Sequence, residues 1–227
     1  ETGLRQRLTA ALGGRAEFID VAALARQFVA LGHVVAVVSL TPGCGVDLPA
    51  TVRLLALDMR KTPLSMARAF WHLRSFVREW RPEIIHAHMV HANLIARVLA
   101  AVSPCPPVIC TAHSAREGGR MRMLAYRLTD SLADLSTNVS QEAVAAFEQK
   151  GAVPRGRMLA VMNGIDCAEF FADATARARV RHSLECAESL QVFIAVGRLT
   201  EAKDFPNLLQ AFVAVSKARP QTSLWIV

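Results

Sequence analysis

Short apolar runs alternate with longer amphipathic stretches along most of the 227-residue chain. Apolar, β-branched runs predict strands at 34–40, 52–57, 83–88, 108–112, 135–139, 158–162, 192–196 and 223–227. Apolar positions at helical spacing predict helices at 22–31, 63–80, 93–102, 121–132 and 141–150, and a last one that ends near 217. Because strands separated by helical stretches form right-handed βαβ units, the pattern predicts an α/β fold with a doubly wound, parallel sheet.

The chain is longer than a typical domain of about 100–150 residues, and a polar, helix-prone stretch interrupts the alternation after residue 168. We expect residues 1–168 to form a Rossmann-like domain that lacks its first strand, and residues 169–190 to form a linker. Residues 191–227 then begin a second, incomplete domain. The last run, 223–227, is typical of a buried parallel strand, which needs neighbours on both sides. We therefore interpret the chain as a fragment.

Composition narrows the classes of function. Apolar residues make up 52% of the chain, yet no apolar run approaches the roughly 18 residues that span a bilayer. Five cysteines, widely spaced and without a C-x-x-C pair, argue against a disulfide framework or a zinc ribbon and favour a reducing compartment. The formal net charge of +7 favours an anionic ligand, which leaves nucleic acid, anionic lipid and sugar phosphates.

The positions of the basic residues and the motifs along the chain distinguish among these anions. The sequence has no aromatic stacking cluster or known nucleic-acid motif, so we expect no nucleic-acid partner. For the basic residues around the helix predicted at 63–80, a solvated face is slightly favoured over a face on an anionic membrane surface. The basic residues concerned are Arg53, Arg60, Lys61, Arg68, Arg74, Arg78 and Arg81, followed by a second group of Arg116, Arg120, Arg122 and Arg127.

Histidines follow two neighbouring strands, where ligands bind in parallel sheets. The run 83–88 carries His86 and His88, and the run 108–112 is followed by His113. Because residues two apart in a strand share a face, we expect one of His86 and His88 to be structural. A zinc site made of the three is disfavoured, since no carboxylate or cysteine stands at ligand spacing. From spacing alone, His113 fits a ligand-facing imidazole and a structural histidine about equally.

Three glycine-containing segments are candidates for phosphate binding. Residues 43–45 lack the third glycine of a dinucleotide fingerprint and precede a strand, so they fail as an NAD signature. Gly13 and Gly14 precede a helix, although a glycine pair alone is weak evidence. The segment 197–203 follows a strand, precedes a helix and places two cations in one turn, which suits a departing diphosphate. Two solvated loop cations are the alternative.

These segments, in this order, resemble the retaining, nucleotide-sugar-dependent glycosyltransferases of family 4, which have the GT-B fold with two Rossmann-like domains. The resemblance rests on residues 24–25 with 32–39, 81–88, 111–113, 139–140, 163–166 with Phe170, and 196–199 with Lys203. It implies a UDP- or GDP-sugar as donor substrate, held between the domains, and neither cofactor nor metal.

The resemblance also implies roles for single residues. His113 would match the family's active-site histidine, which contacts the donor sugar and phosphate. Arg198 and Lys203 would match the family's cations on the donor diphosphate. Further candidates are Gly13, Gly14 and Gly197 as backbone contacts to phosphate, and His88, Arg116 and Asn163 on the acceptor side.

Departures from the family pattern limit what the chain is expected to do alone. Residues 5–20 fit poorly, residues 13–17 only approximate the family's Gly-Gly-x-Glu loop, and the acidic pair of the donor site would lie beyond Val227. We expect a hexosyltransferase fragment of cell-surface polysaccharide biosynthesis that uses a polysaccharide or lipid-linked acceptor. It would be cytoplasmic or peripheral on the inner membrane face, with little turnover by itself. A same-fold sugar-nucleotide epimerase and a noncatalytic sugar- or phosphate-binding module are the alternatives.

Overall fold

The computed structural model describes residues 21–42, 48–60, 62–115, 117–164, 167, 171–197 and 199–227. These residues form two compact units, the first ending at Cys167 and the second running from residue 168 to Val227. Strands and helices alternate in both units, and all strand pairs are parallel. The predicted α/β class is therefore confirmed.

The first unit contains five described helices and six described strands. In chain order they are α1 (Val21–Ala30), β1 (Ala36–Ser39), β2 (Arg53–Ala56), α2 (Pro63–Trp80), β3 (Ile85–His88), α3 (Met89–Val102), β4 (Val108–Ala112), α4 (Arg120–Thr129), a 3-10 turn (Asp130–Leu132), β5 (Leu135–Asn138), α5 (Gln141–Gln149) and β6 (Met158–Ala160).

Two sheets form from these strands. β1 pairs with β2, and β3, β4, β5 and β6 form a four-stranded sheet in that order. In the larger sheet His88 lies opposite Thr111, and Thr111 lies opposite Thr137. Since the four strands run in one direction, the residues that follow them share one edge of the sheet. His88 and His113 lie at this edge.

The four-stranded sheet forms the centre of the core. All five residues of β4 and all four of β5 are buried. One apolar cluster joins α4 and α5 to the sheet through Tyr126, Phe147 and Met158. A second cluster joins α3 to the sheet and includes Val108 and Cys110. A strand buried on both sides is usually a continuous apolar run, and β4 follows this rule except at the buried Thr111.

Helix α2 begins and ends where local chemistry predicts. The Thr62 hydroxyl accepts a hydrogen bond from the backbone N–H of Ser65, and Pro63 occupies the first turn, where its missing N–H costs nothing. The helix ends at Trp80, and the C-cap residue Arg81 has a left-handed backbone (φ 52°) and donates its N–H to the Val77 carbonyl. By contrast, α3 begins at Met89 rather than at the predicted residue 93, directly after the end of β3.

The second unit is smaller. It contains α6 (Ala174–Ser183), β7 (Gln191–Ala195), a 3-10 turn (Glu201–Lys203), α7 (Phe205–Ala218) and β8 (Thr222–Ile226). β7 and β8 pair in parallel, with Gln191 opposite Thr222. The stretch 169–190, interpreted above as a linker, contains α6. Within the described residues this sheet has two strands, and apolar side chains such as Ile194 are exposed on it.

Among the described residues, Cys105, Cys110, Cys167 and Cys186 form no disulfide, while Cys44 lies outside the described residues. Within the described part of the chain, none of the helices combines the length and apolar character required to cross a bilayer.

Candidate functional site

Three imidazole rings meet at the carboxyl end of β3 and β4. Nδ1 of His88 and Nε2 of His113 lie 3.0 Å apart and share a hydrogen bond. The His86 and His88 rings face each other with their centroids 4.1 Å apart, because residues two apart in a strand share a face. The structure therefore brings together His113 and His88, two of the residues singled out in the sequence.

His86 is held by the sheet itself. Its Nε2 lies 2.8 Å from the Thr111 hydroxyl, which lies 2.7 Å from the Thr137 hydroxyl on the next strand. Both threonines are buried, and their positions are opposite each other in the β4–β5 register. His86 is thus the hydrogen-bonded structural member of the His86 and His88 pair.

The backbone of His113 is fixed by Glu117, four residues later. The His113 backbone N–H donates to Glu117 Oε1 over 2.7 Å, and the Tyr126 hydroxyl donates to Glu117 Oε2 over 2.5 Å. Asn93 completes the chain of contacts, because its Nδ2 donates to the Tyr126 hydroxyl and to the Thr111 carbonyl. Helices α3 and α4 therefore both hold the position of His113.

The surroundings keep the imidazoles neutral. Burial, assisted by the nearby His113, lowers the pKa of His86 to about 4. Burial and the two neighbouring rings lower the pKa of His88 to about 3. Burial also lowers the pKa of His113, although the Glu117 carboxylate opposes that change. At neutral pH the cluster therefore offers hydrogen bonds rather than positive charge.

A zinc site made of His86, His88 and His113 is the alternative use of these rings. No group of three or more His, Cys, Asp or Glu side chains among the described residues is arranged to hold a metal ion. His86 and His88 each direct one ring nitrogen to a neighbouring side chain instead, at distances of ordinary hydrogen bonds.

A buried ion pair supports α3 and α4 behind the histidines. The Arg97 side chain is fully buried and donates from Nη2 to Asp130 Oδ1 over 3.4 Å and to the Ser136 hydroxyl over 2.9 Å. Its guanidinium also lies over the Tyr126 ring, 5.0 Å from the centroid. A second cation, Arg157, donates to Asp130 Oδ2 over 3.3 Å. The charge of Arg97 is therefore compensated inside the core.

The second unit places Gly197 and Lys203 together in the segment between β7 and α7. A side chain at Gly197 would meet Cδ, Cγ and Cε of Lys203 at 3.7 Å, so the lysine stem passes directly over this glycine. The Gly197 N–H donates to the Val227 carbonyl. Among the described residues the Lys203 ammonium has neither a hydrogen-bond nor an ion-pair partner. It is an exposed cation beside a strand end.

The remaining predicted residues divide into two groups. Asn163 is exposed and follows β6 at the same sheet edge as His113, and among the described residues no side-chain hydrogen bond joins it to the histidine cluster. Gly13, Gly14, Arg116 and Arg198 lie outside the described residues, so their predicted roles stay predictions.

Sequence reasoning missed the residues that hold the histidines. Glu117 and Tyr126 belong to no sequence motif. The nearest signal was the spacing of Glu117, an acidic residue four positions after His113. Thr111 and Thr137 were visible as polar residues inside predicted strands. A polar residue in a buried strand needs a partner, so these threonines were the clue to a side-chain network.

The chain is similar to proteins of a known family. The model of Glycosyltransferase Family 4 matches residues 20–169, which is more than half of the chain. The matched range includes the histidine cluster and its supporting residues. A search of the curated proteins finds no match.

Among solved structures, the chain is similar to HepE from Anabaena. It matches HepE in complex with UDP and glucose at a TM-score of 0.66 and 16% identity, covering 91% of this chain and 57% of that one. It matches HepE in complex with UDP-glucose at a TM-score of 0.61 and 19% identity, covering 77% of this chain and 46% of that one. It also matches UDP-N-acetylglucosamine 2-epimerase from Rickettsia bellii at a TM-score of 0.51 and 12% identity, covering 88% of this chain and 57% of that one.

The chain spans about half the length of these solved structures. At these identities the likeness concerns the fold, and it confirms the predicted GT-B type of α/β architecture.

Proposed function

The chain belongs to glycosyltransferase family 4, and from that premise we propose that it acts in the transfer of a sugar from a nucleotide-sugar donor to a saccharide acceptor. The reaction retains the configuration at the anomeric carbon. The donor is a UDP- or GDP-sugar, and no cofactor or metal takes part.

The observation that carries the proposal is the position of His113. It follows β4 at the edge of the sheet where ligands bind in parallel α/β folds, within the range matched by the family. One ring nitrogen of His113 contacts His88, and the other has no partner among the described residues. A half-buried, neutral imidazole with one unengaged nitrogen suits a hydrogen bond to the donor sugar or phosphate.

Lys203 supports the same proposal from the second unit. As the bond to the sugar breaks, negative charge accumulates on the departing nucleoside diphosphate, and a nearby cation stabilises it. The exposed Lys203 ammonium offers this charge after a strand end, whereas the Gly197 N–H is already bonded to the Val227 carbonyl. Arg198 of the same segment is the second proposed cation.

None of the predicted site residues is a convincing nucleophile. Retention then follows from attack of the acceptor hydroxyl on the face from which the diphosphate departs: its oxygen bonds the anomeric carbon, the bond between that carbon and the diphosphate oxygen breaks, and the hydroxyl proton passes to the departing diphosphate. The protein supplies orientation and charge stabilisation rather than a covalent intermediate.

The acceptor is a polysaccharide or lipid-linked saccharide at the inner face of the membrane, and the transferase is of hexosyltransferase type. Helix α2 supports this placement, because Leu64 and Trp71 are exposed on it beside exposed Arg68 and Arg78. Apolar and basic side chains exposed together on one helix suit peripheral contact with anionic lipid.

Calorimetric titration of the chain with UDP- and GDP-sugars tests the proposal. We expect one of these donors to bind, and Lys203→Ala to weaken its binding about tenfold through loss of one charge-assisted contact. His113→Ala should also weaken the binding of the sugar nucleotide. His91→Ala, at an exposed position on α3, is the matched control. Equal binding by wild type, His113→Ala and Lys203→Ala, or no binding of any donor, would contradict the proposal.

A sugar-nucleotide epimerase is the second candidate, supported by the similarity to the Rickettsia bellii epimerase fold. Incubation with donor in the absence of any acceptor separates the two. An epimerase converts the sugar nucleotide, whereas a transferase leaves it intact until an acceptor hydroxyl is supplied.

A further inference from the structure

The contact between His88 and His113 determines which atom of His113 can meet a ligand. We propose that His88 is a positioning residue, which donates its Nδ1–H to Nε2 of His113 and so holds His113 in the tautomer that presents Nδ1–H. The inference rests on the proposed function, because it assigns the presented Nδ1–H to a sugar or phosphate oxygen of the donor.

Proton counting leads to this assignment. A neutral imidazole carries one N–H and one lone pair, so a hydrogen bond between two neutral rings uses the N–H of one and the lone pair of the other. If His113 donated its Nε2–H, its Nδ1 would present a lone pair to the ligand. Phosphate oxygens are acceptors without protons, so a lone pair would repel them. Donation by His88 gives the arrangement that binds an oxygen.

The neighbours of the pair support a single shared proton. On β3, the His86 ring lies beside that of His88 with the ring planes tilted by 36°, and Nε2 of His86 is occupied by the Thr111 hydroxyl. From the segment before α4, Glu117 binds the backbone N–H of His113 rather than its ring. Burial lowers the pKa of both His88 and His113, so neither ring takes up a second proton at neutral pH.

Replacement of His88 separates positioning from simple packing. An asparagine side chain places an amide N–H close to the position of the histidine Nδ1, so His88→Asn should keep the donor to His113. Glutamine places its amide one carbon further out, near the position of Nε2, and should lose it. His88→Leu removes the donor while filling the space, and His113 is then free to adopt the other tautomer.

The ring nitrogens of the full chain labelled with ¹⁵N-histidine report the tautomer by NMR. We expect His113 in the wild type and in His88→Asn to show a protonated Nδ1 and an acceptor Nε2. His88→Leu and His88→Gln should show a protonated Nε2 or an exchanging mixture. A dispersed amide spectrum verifies that each variant is folded. If His88→Leu does not fold, the comparison of the wild type with His88→Asn and His88→Gln still tests whether His88 sets the tautomer of His113. A protonated Nε2 on wild-type His113, or an unchanged tautomer in the folded Leu or Gln variant, overturns the inference.

Titration with UDP-glucose separates this inference from the proposed function. We expect the His113 Nδ1 signal to shift on addition of UDP-glucose in the wild type. We also expect the dissociation constant to rise about tenfold in His88→Leu, the loss of roughly one hydrogen bond. If the tautomers follow the pattern above but neither UDP-glucose nor any GDP-sugar shifts the signal, the proposed function fails and the role of His88 in fixing His113 stands.

Discussion

The Tyr126 hydroxyl joins the two helices that hold His113, and its removal tests that arrangement. The hydroxyl donates to Glu117 Oε2 over 2.5 Å and accepts from Asn93 Nδ2 over 3.0 Å, in a side chain that is 1% exposed. Tyr126→Phe deletes this one group. The ring stays in its place against Phe147, with centroids 5.3 Å apart. The variant therefore measures what the hydroxyl contributes to the free energy of unfolding, separately from the packing of the ring.

The expected magnitude follows from the two lost contacts. A hydrogen bond to a charged acceptor contributes about 1.5–3 kcal/mol, and a buried donor left without a partner costs about 1–3 kcal/mol. Asn93 keeps one bond from Nδ2 to the Thr111 carbonyl, so only one of its hydrogens is orphaned. Because the losses share one network and are not additive, we expect a net decrease of about 2–3 kcal/mol in the free energy of unfolding.

Urea denaturation followed by tryptophan fluorescence measures this change. Trp71 and Trp80 lie in the first unit and Trp225 in the second, so a Trp225→Phe background limits the signal to the first unit. Ser103→Ala is the control, since it removes a hydroxyl that donates only to the Leu99 carbonyl at the end of α3, at a cost below about 1 kcal/mol. A Tyr126→Phe variant as stable as Ser103→Ala would refute the reasoning.

Three further predictions concern the core, the pH dependence and the second unit. Asp130→Ala leaves the buried Arg97 charge uncompensated, and the same urea assay should show a loss of about 3–5 kcal/mol. Since folding lowers the pKa of His86 and His88 from 6.5 to about 4 and about 3, the unfolded chain binds protons first as the pH falls below 6.5. Stability should then fall by up to about 1.4 kcal/mol per pH unit for each histidine, and the double variant His86→Gln, His88→Asn should show a shallower dependence. Lys203→Arg should keep UDP binding, whereas Lys203→Ala should weaken it about tenfold, as measured by calorimetry.

Local sequence signals predicted the elements that depend on local chemistry. The start of α2 follows from Thr62 and Pro63, and β4 follows from its largely apolar run. The start of α3 was predicted at 93 instead of Met89, because no capping side chain marks it: His88 at the N-cap makes no side-chain cap hydrogen bond. The burial of Arg97 was equally hidden, since its partner Asp130 is 33 residues away in the chain.

The candidate site was predictable in outline. The position of His113 after a strand, and of Lys203 after another, could be read from the alternation of apolar runs. The contact of His88 with His113 depends on the register of β3 against β4, which the sequence does not specify. Glu117 and Tyr126 reach His113 through side-chain contacts between separate elements, and no local pattern encodes such contacts.

A crystal structure of the chain with UDP-glucose tests the central claim most directly. The account predicts a ring nitrogen of His113 within hydrogen-bonding distance of the glucose or diphosphate, and the Lys203 ammonium against the diphosphate. UDP-glucose bound at a site that contacts neither His113 nor Lys203 would contradict it.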